Sequence, residues 1–92
     1  MLQPEIRVTP DRVKSGGSVM MTGTGFTPNR SVVSHLLRPD ESEYNPLRLR
    51  ANAKGEIAHQ ISSVMLQIGR HELWVEDEAT QVVSNHVRFT VE

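Results

Sequence analysis

The chain has 92 residues, of which 37% are hydrophobic, and its ten basic and eleven acidic residues leave a formal net charge of -1. This length fits one domain, which buries roughly 60–65% of the surface of its unfolded chain. The nearly balanced charge gives no electrostatic footprint for nucleic acid or for an anionic membrane surface. The sequence contains no cysteine, which excludes a disulfide framework, a thiolate zinc site and a cysteine nucleophile.

The ends of the sequence bear on its location. No run of about 18 apolar residues is present, so we expect no membrane insertion. Residues 1–4 contain neither the basic nor the apolar region of a secretory signal peptide. Because the predicted strands come close to both ends, we expect residues 1–92 to be a single domain excised from a longer chain. We expect that chain to be at the cell surface or secreted, and a cytoplasmic location stays open.

Apolar and polar residues alternate along most of the chain, which is the pattern of strands with one buried face. The alternation and the Gly, Pro, Asn and Asp residues between the runs predict seven strands and no helix. Short strands at intervals of roughly 8–12 residues predict an all-β fold, an antiparallel β-sandwich. The predicted strands cover 4–9, 18–22, 30–38, 47–53, 56–62, 69–77 and 82–91.

Some of these strands carry specific expectations. Pro4 and Pro10 bracket the first strand, which favours an edge position in a sheet. Apolar residues on both faces of 30–38 predict a central strand. The turn at 52–55 predicts a hairpin between its two flanking strands. We expect Phe26 to fill one end of the core.

The strand 69–77 contains the only tryptophan, Trp74, and we expect the other strands to pack over it or beside it. Trp74 lies on the same face as Glu72 and Glu76, and His71 lies on the opposite face. Tryptophan is usually well buried, which favours a place in the core if both faces of the strand are covered. The alternative is a partly exposed platform on the polar face.

Three segments resemble the bacterial and archaeal immunoglobulin-like modules, in particular their early-set, IPT/TIG-like branch. Residues 13–26 are similar to the opening of that branch, with a turn glycine, a strand and a Gly-x-Gly-Phe. Residues 66–75 are similar to a Leu-x-Pro-Gly-x-Tyr-x-Leu corner in which Ile68 and His71 replace the proline and the tyrosine. Residues 84–91 are similar to a last strand. The resemblance implies an immunoglobulin-like β-sandwich that acts as a spacer or ligand-binding module and not as a catalyst.

Four histidines, His35, His59, His71 and His86, fall on four different predicted strands. Imidazole is a common metal ligand. No two of them have the i, i+2 or i, i+4 spacing that brings ligands together on one element, so we predict no metal site. We expect His71 to be a hydrogen-bonded polar residue at the sheet corner and His59 to be a half-buried strand residue.

Acidic residues cluster at two strand ends, and calcium takes six to eight oxygen ligands. Neither cluster has the spacing of a calcium-binding loop, which favours ordinary solvated turns. If calcium binds, the candidate ligands are Asp40, Glu41, Glu76 and Asp77.

Four further residues are candidates for binding. Sugar sites need exposed aromatic platforms beside polar groups, which points to Tyr44 and Trp74. Arg48 and Arg50 share one strand face, and with Arg88 they are candidates for docking an acidic partner.

No catalytic pattern is present. There is no G-x-S-x-G, and the glycine-rich segment 22–26 is not followed by a helix that could hold phosphate. We therefore predict a non-enzymatic protein without a cofactor. It would act as an immunoglobulin-like spacer or binding module of a larger prokaryotic protein. Its partners would be another protein, neighbouring domains or a polysaccharide, and not nucleic acid.

Two alternatives stay open. One is an accessory module that is attached to an enzyme and that itself binds carbohydrate or calcium. The other is a small cytoplasmic protein that self-assembles through an edge strand.

Overall fold

The computed structural model describes residues 3–92 and arranges them in eight β-strands. Met1 and Leu2, which belong to the N-terminal stretch without a signal-peptide pattern, lie outside the described residues. Across residues 3–92 there is no helix long and apolar enough to cross a membrane. The strands are β1 (Glu5–Thr9), β2 (Arg12–Val13), β3 (Ser18–Thr24), β4 (Ser31–Leu37), β5 (Leu47–Arg50), β6 (Ile57–Ser62), β7 (Gly69–Asp77) and β8 (Val87–Val91).

The strands form two sheets that pack face to face. One sheet has three antiparallel strands in the order β1-β3-β6, and the other has five in the order β2-β8-β7-β4-β5. Only β2 and β8 pair in parallel. The prediction of an immunoglobulin-like antiparallel β-sandwich is confirmed. The first strand lies at a sheet edge and β4 is central, both as predicted.

The core lies between the sheets and follows the alternation of the sequence. In β7 every second residue, from His71 to Asp77, is buried, and the residues between them face outward. Complete burial of one aliphatic or aromatic side chain contributes about 1.5–3 kcal/mol, so a small set of such residues can hold a domain of this size. The buried apolar residues are Ile6, Val19, Met21, Phe26, Val32, Ala51, Ile57, Leu73, Val75, Phe89 and Val91.

Two glycines allow Phe26 to close one end of the core, as the sequence predicted. A Cβ at Gly23 would lie 2.9 Å from Cε2 of Phe26 and 3.0 Å from Cγ1 of Ile57. Gly55 has a φ of 74°, and a Cβ there would collide with the carbonyl oxygen of Phe26. The Phe26 amide donates to the Gly55 carbonyl at 3.1 Å. Any larger residue at either position would move the phenyl ring out of its site.

The predicted hairpin at 52–55 is wrong, although the turn itself forms. The Gly55 amide donates to the Asn52 carbonyl at 3.0 Å and closes the turn. Beyond the turn, however, β5 pairs with β4 and β6 pairs with β3. The turn residues fix the reversal of the chain, and the packing of the two sheets decides that the chain crosses from one to the other.

Two further strand boundaries differ from the prediction. Arg12–Val13, which lies in a predicted turn region, forms β2 and pairs with the end of β8. The last strand begins at Val87 and not at 82, because the pairing with β7 is interrupted after Ser84; Val83 pairs with Glu76 only as an isolated bridge. The hydroxyl of Ser84 accepts a hydrogen bond from the Val75 amide at 2.9 Å.

Asn85 joins the two sheets at the edge strand β1. Its Oδ1 accepts from the Ile6 amide at 2.8 Å, and its Nδ2 donates to the Ile6 carbonyl at 3.1 Å. The side-chain amide thus takes the place of a peptide group in a neighbouring strand. Unpaired edge groups are a template for pairing with another chain, and Asn85 removes part of that template.

We expect Asn85→Ala to lower the free energy of unfolding by about 1–3 kcal/mol, because it leaves both backbone groups of Ile6 without their partners. Urea unfolding followed by circular dichroism measures the change. Asn45→Ala is the matched control, since Asn45 is exposed as Asn85 is, but its side chain makes no hydrogen bond with any residue in the range 3–92. Equal losses in the two variants would show that the Asn85 bridge does not stabilise the fold.

Candidate binding surface

Most of the chemically distinctive side chains lie on the outward side of the five-stranded sheet, which we call the outer face. Residues that are directly opposite each other on paired strands share a face of the sheet. The register therefore assigns outward positions on four strands. These residues are Val33, His35 and Leu37 of β4, Arg48 and Arg50 of β5, Arg70, Glu72, Trp74 and Glu76 of β7, and Arg88 and Thr90 of β8.

Trp74 lies between two imidazole rings on this face. His35 is directly opposite on β4, with ring centroids 5.4 Å apart and planes inclined by 9°. His86 stacks on the other side of the indole, with ring centroids 4.8 Å apart and planes inclined by 9°. We call His35, Trp74 and His86 the ring stack. Trp74 is half-buried and outside the core, so a core position is wrong. Because imidazoles occupy both faces of the indole, the ring presents its edge and not a flat platform.

Carboxylates surround the His35 end of the ring stack. Oε2 of Glu43 lies 3.5 Å from His35 Nδ1, and Oε1 of Glu76 lies 3.9 Å from Nε2. His35 Nδ1 is buried and makes no hydrogen bond to any described residue. A proton on this imidazole would therefore be attracted to two carboxylates at once.

At the other end, Glu72 bridges the ring stack and an arginine. Its Oε2 lies 3.2 Å from His86 Nδ1, and its Oε1 lies 2.9 Å from Nη2 of Arg88. The hydrogen bond with His86, helped by the charge of Arg88 and against some desolvation, holds the pKa of Glu72 below its usual range. Glu72 is therefore ionised at neutral pH.

We expect the emission maximum of Trp74 to move to longer wavelength when its two stacked imidazoles are removed, because both faces of the indole are then open to water. Trp74 is the only tryptophan, so the emission spectrum reports on this site alone.

A His35→Ala/His86→Ala double variant is expected to show this shift. His59→Ala is the matched control, because His59 lies on β6 in the other sheet and should leave the emission maximum unchanged. An unchanged emission maximum in the double variant would show that the imidazoles do not shield the indole.

Tyr44 closes one end of the core and is not a free aromatic platform. The Cζ of Arg38 lies 3.9 Å from the centroid of its ring. On the other side the ring stacks on His71, with centroids 5.9 Å apart. The Tyr44 hydroxyl accepts from the Gln67 amide at 3.3 Å. Both faces and the polar end of this side chain thus have partners within the domain.

His71 is fully buried at the same end of the core. Its ring stacks on Phe89 at 5.2 Å, its Nδ1 lies 3.2 Å from the Gly69 carbonyl, and its Nε2 lies 3.4 Å from the Tyr44 hydroxyl. The carbonyl contact assigns the ring proton to Nδ1, which leaves Nε2 to accept from tyrosine. Burial lowers the pKa of His71, partly opposed by the bond to Gly69. The expectation of a hydrogen-bonded corner histidine is confirmed.

The lowered pKa of His71 predicts a pH-dependent stability. Below the unfolded-state pKa of about 6.5, the unfolded chain binds a proton that folded His71 does not bind. The stability that neutral His71 provides is therefore complete above that pH and is lost as the pH falls towards the lower folded pKa. Urea unfolding at a series of pH values measures the slope.

We expect His71→Phe to flatten this slope, because phenylalanine keeps the stacking and removes the titrating group. His59→Gln, at a half-buried position, should keep most of the slope. A slope unchanged by His71→Phe would rule out His71 as its main origin.

The acidic residues that we named as calcium candidates lie at two opposite ends of the five-stranded sheet. Asp40 and Glu41 follow the end of β4, whereas Asp77 is paired with Val32 near its start. The two clusters therefore cannot share one ion. Within residues 3–92, no group of three or more His, Asp or Glu side chains is arranged to hold a metal ion. Glu76 contacts His35 instead. Calcium binding by any of these residues stays the alternative to the absence of a metal site that we predicted, and neither is tested.

Asp77 has a structural role. It is almost completely buried, and its Oδ2 accepts from both the amide and the hydroxyl of Thr27 at 2.8 Å. Its Oδ1 accepts from the Ala79 amide at 3.0 Å. Burial alone would raise the pKa of Asp77, but the hydrogen bonds from Thr27, Ala79 and Thr80 outweigh it and hold the pKa below its usual range. The carboxylate thus fastens the loop before β4 to the end of β7.

The predicted arginine stripe is divided between two sides of the outer face. Arg48 and Arg50 lie on the edge strand β5, and Nε of Arg48 is 2.8 Å from Oε1 of Glu78. Arg88 lies on β8, separated from β5 by two strands. It neighbours Arg70 instead, a residue that the sequence analysis did not single out. No local pattern could have identified that pair, because it depends on the register between β7 and β8.

No protein-family model matches the chain, and no curated protein sequence matches it. Among solved structures, macromomycin has a TM-score of 0.72 at 16% identity, with 97% of this chain and 99% of macromomycin covered. The CARDB domain of a Pyrococcus furiosus protein, crystallised in complex with di-metal ions, has a TM-score of 0.52 at 17% identity, with 99% and 92% covered. The solution structure of that CARDB domain gives the same score and identity, with 99% and 97% covered.

At these identities the similarities show a common β-sandwich fold and nothing about activity. They agree with the two-sheet architecture and with the immunoglobulin-like module that the sequence resembles. They do not show which branch of these modules the chain resembles most, so the early-set, IPT/TIG-like branch stays a prediction.

Proposed function

We propose that this chain is a non-catalytic immunoglobulin-like module that acts as a spacer or binding domain in a larger prokaryotic protein, at the cell surface or secreted. One observation carries the proposal. Four buried polar side chains, those of Ser63, His71, Asp77 and Ser84, make internal hydrogen bonds, whereas a network of charged and aromatic side chains covers the outer face. A core held by internal contacts and a surface rich in charged side chains are typical of a rigid scaffold that presents a surface to a partner.

The buried hydroxyl groups support a structural use of the interior. Ser63 Oγ accepts from the Gly16 amide at 2.9 Å and donates to the Gly17 carbonyl at 2.7 Å. Ser84 Oγ donates to the Asn85 carbonyl at 2.9 Å. In the part of the chain that the structure describes, no serine or threonine hydroxyl is hydrogen-bonded to a histidine. Nucleophilic catalysis by a hydroxyl needs such a neighbouring base.

The outer face supports a polypeptide as the partner and not a polysaccharide. Sugar sites need an aromatic ring face that a pyranose can cover. The two rings that the sequence offered for this purpose are Trp74 and Tyr44, and both have their faces occupied by side chains of the domain. Charged groups remain, and these favour a partner of complementary charge.

The size of the native polypeptide tests this proposal. An immunoblot of the source cells with an antibody against this domain is expected to show a band much larger than 10.3 kDa, the mass of the 92 residues. A band at the mass of the domain itself would contradict a module of a larger protein. Hydrolytic activity in the purified, folded domain would contradict the absence of catalysis.

A further inference from the structure

The outer face contains a groove between β2 and the end of β4, made of two adjoining cavities of about 310 Å³ and about 220 Å³. Arg70 and Arg88 line both cavities, so the two lie side by side on the outer face. Arg12 lines the larger cavity and Arg38 the smaller one. We call this feature the arginine groove.

The register of the sheet brings these arginines together from distant parts of the chain. Thr90 on β8 is opposite Arg70 on β7 and opposite Arg12 on β2. Arg88 is opposite Glu72, one step further along the same strands. Adjacent strands are about 4.8 Å apart, so the row from β2 to β7 spans roughly 10 Å, a suitable length for a short extended segment.

The guanidinium groups of Arg12, Arg70 and Arg88 are available to a ligand, whereas that of Arg38 lies over the Tyr44 ring. Arg70 makes no ion pair and no side-chain hydrogen bond with any residue in the range 3–92. Arg12 pairs with Glu92 at 3.0 Å and Arg88 with Glu72 at 2.9 Å, but the two arginine side chains are 72% and 52% exposed. Exposed ion pairs contribute only about 0–1 kcal/mol, so these arginines can exchange an internal carboxylate for an external one.

We propose that the arginine groove binds an acidic segment of a partner polypeptide, with its side-chain carboxylates on Arg70 and Arg88. A guanidinium group binds a carboxylate through two parallel hydrogen bonds, a geometry that suits this chemistry. The proposal rests on the function proposed above, because it names the partner of the binding module.

The groove itself favours a polypeptide over denser polyanions. Asp11, Glu41 and Glu72 also line it, and they would repel a ligand that carries a charge on every unit. A peptide with spaced carboxylates can place each one beside an arginine. Single-stranded nucleic acid also needs aromatic rings on which its bases stack, and the faces of Trp74 are already occupied.

Fluorescence anisotropy with a labelled peptide of alternating Glu and Ser tests the proposal on the complete chain. We expect binding that weakens as salt is added. Arg70→Gln is expected to weaken it about two- to fivefold, the contribution of an exposed ion pair. Since Arg70 has no partner within the described residues, this variant should unfold in urea as the parent does. Arg7→Gln, at an exposed position on β1 in the other sheet, is the matched control and should bind normally.

Three outcomes would overturn the assignment. The first is absence of peptide binding at low salt. The second is an equal loss in Arg70→Gln and Arg7→Gln, which would indicate attraction by overall charge and not by this groove. The third is tighter, Arg70-dependent binding of an oligogalacturonate or a single-stranded oligonucleotide, which would assign the groove to another polyanion. None of them changes the size of the native polypeptide, so failure here is distinguishable from failure of the proposed module.

Discussion

The structure depends on the strict alternation of β7, the strand that lies between β4 and β8. Its inward residues, from His71 to Asp77, enter the core, and its outward residues build the centre of the outer face. A shift of the pairing by one residue would exchange the two sets and would bury Glu72 and Glu76 among apolar side chains. The cost of burying those charges makes the register unique, and with it the positions of both the core and the surface groups.

The two polar residues at the ends of the buried face of β7 show how this core accepts titratable groups. His71 is neutral, stacked and hydrogen-bonded at one end, and Asp77 is ionised and accepts several hydrogen bonds at the other. Each has one partner distant in sequence, Tyr44 for His71 and Thr27 for Asp77. A buried polar group is costly when it lacks a partner, so these contacts tie the surrounding loops to the central strand.

The outer face uses the same strand differently. There the ring stack and the arginine groove lie side by side and share Glu72, which contacts both His86 and Arg88. A carboxylate partner that displaced Glu72 from Arg88 would also alter the charge beside His86. The two features are therefore coupled through one side chain, although their rings and guanidinium groups come from different strands.

Local patterns in the sequence determined most of the elements of this protein. Alternation located the seven main strands, the prolines placed β1 at an edge, and the face on which Trp74 lies followed from its position between Glu72 and Glu76. Whether that face is covered by another layer is not a local property, and the core position for Trp74 was therefore wrong. The hairpin at 52–55 failed for a related reason, since a turn reverses the chain without choosing the sheet that it joins. The ring stack and the arginine groove were decided only by the tertiary structure, because both arise from the register between strands that are far apart in sequence.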